Sequence, residues 1–150
     1  MPQISSRRYQ VPVVDDWRIV ARDVAAALRS GDVLALEGPL GAGKTTFVQA
    51  LAEAMGSLKT PKSPTFSLLR TYVVKQGVIR RLLHVDAYRI EDERDLRPLD
   101  LDDELADGDA VLVLEWPEQV PRWLKSRPGW RLLMTVRPDG CRSVVLSSLR

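Results

Sequence analysis

Gly38-Pro39-Leu40-Gly41-Ala42-Gly43-Lys44-Thr45 fits the pattern G-x-x-x-x-G-K-[ST] at every position. Its chemistry is the holding of phosphates. Glycines let the backbone turn so that successive N–H groups point inward around an anion. A helix starting at the loop adds its positive N-terminal end to the same place. Lys44 reaches the β- and γ-phosphates, and the Thr45 hydroxyl can ligate Mg²⁺. Pro39 has no N–H, so the cradle uses amides from Leu40 onward, through Gly41, Ala42, Gly43 and Thr46. With this chain's own residue frequencies the pattern would arise by chance roughly 0.002 times per chain. The loop is read as a nucleotide-binding site.

Hydrolysis of a bound nucleotide also needs a metal-side carboxylate and a group that orients water. Glu115 ends the apolar run Val111-Leu112-Val113-Leu114, where a Walker B acid belongs. Asp86 closes a second strand-like segment in His84-Val85-Asp86-Ala87-Tyr88-Arg89. By itself, such an aspartate is as often a turn cap as a catalyst, and a lone histidine like His84 is more often packed than reactive. Thr65, in Ser63-Pro64-Thr65-Phe66, is either an ordinary strand-entry residue or part of a loop that senses the γ-phosphate. Trp17, Trp116, Trp123 and Trp130 individually read as packing residues.

The elements that must position these groups follow from periodicity. Residues 9–14 suggest a short strand interrupted at Pro12. Asp15 or Asp16 can cap a helix with Val20, Val24 and Leu28 on one face and Gly31 as its stop. Val33-Leu34-Ala35-Leu36 is a buried-strand pattern leading into the glycine loop. A second helix runs from about Lys44 to Met55, with Phe47, Val48, Leu51 and Met55 at helical spacing and Gly56 ending it. Segments 66–74 and 78–85 form a hairpin across Lys75-Gln76-Gly77. Short helices are expected at 92–97 and 100–106, and strands near 131–137 and 142–149 around Pro138-Asp139-Gly140. The sum is one three-layer α/β domain with a mixed sheet, with no internal repeat or domain break.

Composition removes other classes. The chain has 150 residues and a formal net charge of +2. Residues 91–109 hold ten acids and only Arg94 and Arg97 as bases, a net −8, so the remainder is a body of +10. This split argues against both a uniformly basic nucleic-acid coat and an acidic disordered chain. The acidic stretch reads as a solvated face ahead of a docking surface. Cys141 is the only cysteine and His84 the only histidine, which leaves no internal disulfide and no multi-His or cysteine-based metal centre. Apolar runs are strand-sized, well short of the roughly 20 residues of a membrane helix, and Met1 to Gln10 lacks a signal-peptide core. The expected location is the cytoplasm, with no membrane contact.

Gly38 to Thr46 (GPLGAGKTT), Ser63 to Phe66 (SPTF), His84 to Arg89 (HVDAYR) and Glu115 to Glu118 (EWPE) stand in the order and spacing of the TsaE (YjeE) family. The likeness extends over about residues 15–145. That family is the bacterial P-loop ATPase of the tRNA threonylcarbamoyladenosine (t6A) pathway. The resemblance implies a largely parallel central sheet extended by antiparallel strands. It implies Mg²⁺ held by Thr45 and Glu115, with Asp86 near the γ-phosphate as a catalytic or metal-water carboxylate. Ser63 and Thr65 would lie on a switch-like segment, Trp116 would shape a partner-facing rim, and Arg142 would approach the nucleotide.

The chain departs from the family at several points. Trp17 stands where the family usually has a nucleotide-proximal Thr, and its indole could instead stack on the base. Pro39 replaces a frequent Glu, Pro61-Lys62 replaces a β-branched residue, and Asp100 falls near a common glycine. The function implied is an ATPase subunit, weak alone and stimulated by TsaD and TsaB, which resets their complex between rounds and meets tRNA only through it. Two rivals have different requirements. A nucleoside or sugar kinase would need an acceptor pocket and an arginine-rich lid, and a non-hydrolysing scaffold would bind ATP without turnover. A GTPase with an N-K-x-D guanine reader is excluded, because the chain has no asparagine.

Overall fold

The computed structural model describes residues 6–58 and 68–149. Its centre is a seven-stranded sheet in the order β1-β7-β6-β2-β5-β4-β3. The strands are β1 (Arg7–Val11), β2 (Val33–Glu37), β3 (Leu69–Gln76), β4 (Ile79–Asp86), β5 (Ala110–Glu115), β6 (Gly129–Val136) and β7 (Arg142–Ser148). β6, β2, β5 and β4 run parallel to one another, while β3, β7 and β1 are added antiparallel at the two edges. The mixed, largely parallel centre with antiparallel extensions is therefore as expected. β2 and β5 read as continuous apolar runs because helices cover both faces of the sheet. Val33 to Leu36 and Ala110 to Leu114 are fully buried.

One face carries α1 (Trp17–Ala27) and α2 (Lys44–Ala54). Val20, Val24, Phe47, Val48 and Leu51 pack there against Leu34, Leu36, Val111 and Val113. The full burial of each such side chain contributes about 1.5–3 kcal/mol. The opposite face is thinner. It is covered by a 3-10 segment (Glu93–Leu99), α3 (Leu101–Ala106) and the one-turn α4 (Pro121–Leu124). Leu96, Leu101, Leu105 and Leu124 lie there on Val33, Leu83, Val85 and Leu112. No helix among the described residues is long and apolar enough to cross a membrane.

Several boundaries differ from the sequence reading. The first strand is Arg7–Val11, two residues early, because its pairing with β7 sets it rather than local alternation. The chain leaves α1 at Leu28, which is extended at ψ 136°, so the helix ends before Gly31. Asp16 does not cap α1; its carboxylate accepts the N–H of Val13 at 3.3 Å, within a 3-10 turn that leads into the helix. Asp100 adopts the left-handed conformation at φ 51°. Aspartate is one of the few non-glycine residues that tolerate this geometry.

The acidic stretch is part of this architecture. Arg81 of β4 forms ion pairs with Glu104, with Asp107 at 3.4 Å and with Asp109 at 2.9 Å. Arg127 pairs with Asp102 and lies over the Trp123 ring. A solvent-open groove of about 830 Å³ crosses the segment between Asp92, Asp103 and Trp123.

Candidate functional site

β2 is buried on both faces and leads straight into the glycine loop. Gly41 and Gly43 take φ values of +80° and +105°, which L side chains rarely adopt. The N–H of Ala42 closes a turn on the carbonyl of Pro39 at 3.2 Å, and the N–H of Phe47 bonds to the carbonyl of Gly43 at 2.8 Å. α2 therefore starts directly out of the loop, with its N-terminus directed at whatever the loop holds. The loop opens into a cavity of about 320 Å³ lined by Leu40, Gly41, Gly43, Lys44, Thr45, Thr46, Asp86, Glu115, Trp116 and Arg142. Gly38 and Ala42 stand behind this lining: Gly38 offers its carbonyl to Lys44, and Ala42 is fully buried.

Lys44 is only 6% exposed. Its ammonium donates to the carbonyl of Gly38 at 2.7 Å and sits 3.7 Å from the centroid of the Trp116 ring. Burial pulls its pKa below the ordinary lysine value, and the negative charges of Glu115, Glu118 and Asp86 work against that shift. Trp116 is held over the amine by a left-handed backbone (φ 58°) and by the ring of Tyr88, 4.9 Å away. The Trp116 ring thus covers the ammonium of the loop lysine.

The two carboxylates meet through strand register. β4 and β5 are parallel neighbours with Asp86 opposite Glu115, so both acids stand at the same end of the sheet, beside the loop. Burial raises the pKa of Asp86 above the usual carboxylate range. The N–H of Tyr88, which bonds Oδ1 at 3.0 Å, favours the charged form instead. Glu115 is 3% exposed, and its Oε2 lies 2.7 Å from Nε2 of His84. His84 is itself 1% exposed, two residues before Asp86 on the same face of β4. By sequence alone His84 is more often packed than reactive. Its spacing of two from Asp86 was visible, but only the pairing of β4 with β5 brings it to Glu115.

Arg142, at the start of β7, donates to the carbonyl of Gly41 at 3.1 Å and joins the cavity wall. Trp17 is different. It is 3% exposed and packs edge-on against Phe47, with centroids 5.8 Å apart, beneath the backbone of Gly43. It does not line the cavity, so its indole supports the loop from inside the core and is not placed to stack on a base. Ser63 and Thr65 lie outside the described residues.

The donor set suits magnesium. Mg²⁺ is usually held by one or two carboxylates together with substrate phosphates rather than by an all-protein cage. Here Thr45, Glu115 and Asp86 share the wall of the cavity beside the glycine loop. No cluster of three or more His, Cys, Asp or Glu that could hold a metal occurs among the described residues.

A buried strand, a Walker A loop, a helix springing from it and an acid at the tip of the adjacent parallel strand define an α/β domain of the phosphate-loop class. Comparison with known proteins narrows this. The family profile "Threonylcarbamoyl adenosine biosynthesis protein TsaE" matches residues 12–142, and the chain belongs to the TsaE family. It is 38% identical over 126 residues to the tRNA threonylcarbamoyladenosine biosynthesis protein TsaE of Bacillus subtilis, covering 84% of this chain and 74% of that one. Against the protein of the same name from Streptomyces coelicolor it is 43% identical over 102 residues, 67% of each chain. The crystal structure of Bacillus subtilis YdiB superposes with a TM-score of 0.74 at 27% identity, covering all of this chain and 90% of that one.

Proposed function

We propose that this protein is a Mg²⁺-dependent ATPase subunit of the t6A machinery that resets a TsaD–TsaB complex between catalytic cycles, working in the cytoplasm and meeting tRNA only through those partners. The observation that carries the reading is one cavity in which loop amides, Lys44, Thr45, two strand-end carboxylates and Arg142 converge. The names of its relatives support the pathway.

The chain's own groups divide the work. The amides from Leu40 to Thr46 and the start of α2 bind the phosphate oxygens. Lys44 turns from the Gly38 carbonyl to the β- and γ-phosphates, which requires Trp116 to release it. Thr45 and Glu115 hold Mg²⁺, which when bound neutralises charge on the transferring phosphoryl group. Asp86, at the same end of the sheet, orients the attacking water or a water of the metal. Because Trp116 covers the lysine, the isolated subunit turns over slowly and partner contact at this rim raises the rate.

The test is ATP hydrolysis by the purified protein, alone and with TsaD and TsaB. The reading expects stimulation by the partners and loss of activity in Glu115→Ala. Normal t6A levels in cells depleted of this protein would exclude the pathway, and phosphorylation of a nucleoside or sugar by the chain alone would favour a kinase.

A further inference from the structure

We propose that His84 is a positioning residue: its Nε2–H fixes the Glu115 carboxylate in the orientation that receives Mg²⁺. The inference rests on the reading of Glu115 as the metal-side acid and extends it to a residue that does not line the cavity. Three observations carry it. His84 Nε2 and Glu115 Oε2 are 2.7 Å apart, and both side chains are almost wholly buried. The Nδ1 atom of His84 is buried without a hydrogen-bond partner among the described residues. Glu115 nevertheless lines the phosphate cavity.

These facts fix the tautomer. A proton on Nδ1 would be a buried donor with nothing to receive it, and Nε2 would then present a lone pair to a carboxylate oxygen. With the proton on Nε2, both problems disappear except for an unused acceptor, the cheaper atom to leave unmatched. Oε2 is thereby committed to the ring, and Oε1 is the oxygen that Glu115 has for the cavity. With one oxygen held, the carboxylate's rotation is restrained, so the metal meets a preset ligand. Ligand-orienting groups behind a metal site typically change metal affinity by about 10–100-fold when removed.

Because His84 is the only histidine in the chain, its ring nitrogens can be assigned without ambiguity in ¹⁵N-labelled wild-type protein. Proton-coupled imidazole spectra should show Nε2 protonated and Nδ1 bare. Mg²⁺ with a non-hydrolysable ATP analogue should move the Nε2 resonance, and the same analogue in EDTA should not. A proton on Nδ1, or an Nε2 signal indifferent to Mg²⁺, would overturn the proposal. Variants give the second arm. Gln can present an N–H near the Nε2 position and Asn cannot. The Mg²⁺ concentration at half-maximal binding of a fluorescent ATP analogue should rise about tenfold in His84→Asn and stay within about threefold in His84→Gln. Binding without metal should be the same in both. Glu115→Gln separates the two layers of argument. If it leaves the Mg²⁺ midpoint unchanged, the assignment of Glu115 fails. If it raises the midpoint while His84→Asn does not, the site reading stands and the role of His84 falls. Should His84→Asn not fold, the wild-type spectra decide.

Discussion

Replacing Gly43 by Ala tests whether Trp17 is a support for the phosphate loop. Gly43 has φ +105°, and a Cβ there would stand 2.7 Å from Cζ2 of Trp17 and 3.2 Å from its Cε2. The indole is rigid, buried, and blocked on another side by Phe47, so it cannot swing aside as a long flexible chain could. The left-handed backbone costs an alanine about 1–2 kcal/mol, and an extra carbon forced into a packed site typically costs about 1–3 kcal/mol. Gly43→Ala should therefore lose about 2–5 kcal/mol, a large share of the ~5–15 kcal/mol that holds a domain. Gly41→Ala supplies the control. Gly41 is also left-handed, at φ +80°, but nothing lies within 4 Å of its Cβ position. Only the backbone cost should appear there. Urea unfolding measures both, and the gap between the two variants is the contribution of the tryptophan ring. In a Trp17→Leu background, where the ring is gone, Gly43→Ala should cost about 1–3 kcal/mol less than in the wild type. Equal losses in the two glycine variants, or strict additivity with Trp17→Leu, would refute the account of Trp17 as a loop support.

Lys44→Ala should lower nucleotide affinity and ATP turnover at least about 100-fold while changing stability by less than about 1 kcal/mol, since the ammonium is already disfavoured by burial; calorimetric binding and thermal melting report the two. Asp86→Asn should abolish turnover yet stabilise the fold at neutral pH. Burial raises the folded pKa of Asp86, so the native state holds the proton more tightly than the unfolded chain, and this residue's contribution declines as pH climbs from the unfolded carboxylate value through the raised one. The gain in melting temperature should be full above that window and absent below it. Arg81→Met should cost about 1–3 kcal/mol, because its guanidinium hydrogen-bonds to Glu104 and Asp109; hydrogen exchange should show the loss centred on α3 and the start of β5.

What could be read from residues was whatever local sequence dictates. The Walker A spacing, the two apolar runs of β2 and β5, and the 3.6-residue stripe of α2 each have one physical solution, and Val33–Glu37, Ala110–Glu115 and Lys44–Ala54 match it. What could not be read was set by partners distant in the chain. β1 begins at Arg7 because β7 is there to pair with it. His84 gains a role because β5 returns beside β4. Trp17 looked like a base-stacking candidate because it stands near a nucleotide-proximal position of the family, and only the packing of α1 on α2 shows that its ring faces inward.

The separation of charge along the chain follows from the same register. Parallel strands cannot be joined by a tight turn, so the chain must leave Asp86 and travel before it returns as β5. Residues 87–109 make that journey, and all ten acids lie within it. Its apolar residues Ile90, Leu96, Leu101 and Leu105 seal the second face of the sheet. Its last acid, Asp109, is fastened twice: the carbonyl accepts the N–H groups of Arg80 and Arg81 at 2.8 and 3.0 Å, and the carboxylate meets the Arg81 guanidinium. Arg81 then pairs with Ala110, and five residues further along both strands Asp86 pairs with Glu115. A slip of one residue would turn Glu115 to the opposite face, away from the loop and from His84. Part of the negative charge is thus committed to the clamp that sets the two site carboxylates side by side, at the far end of the strands from where the clamp acts.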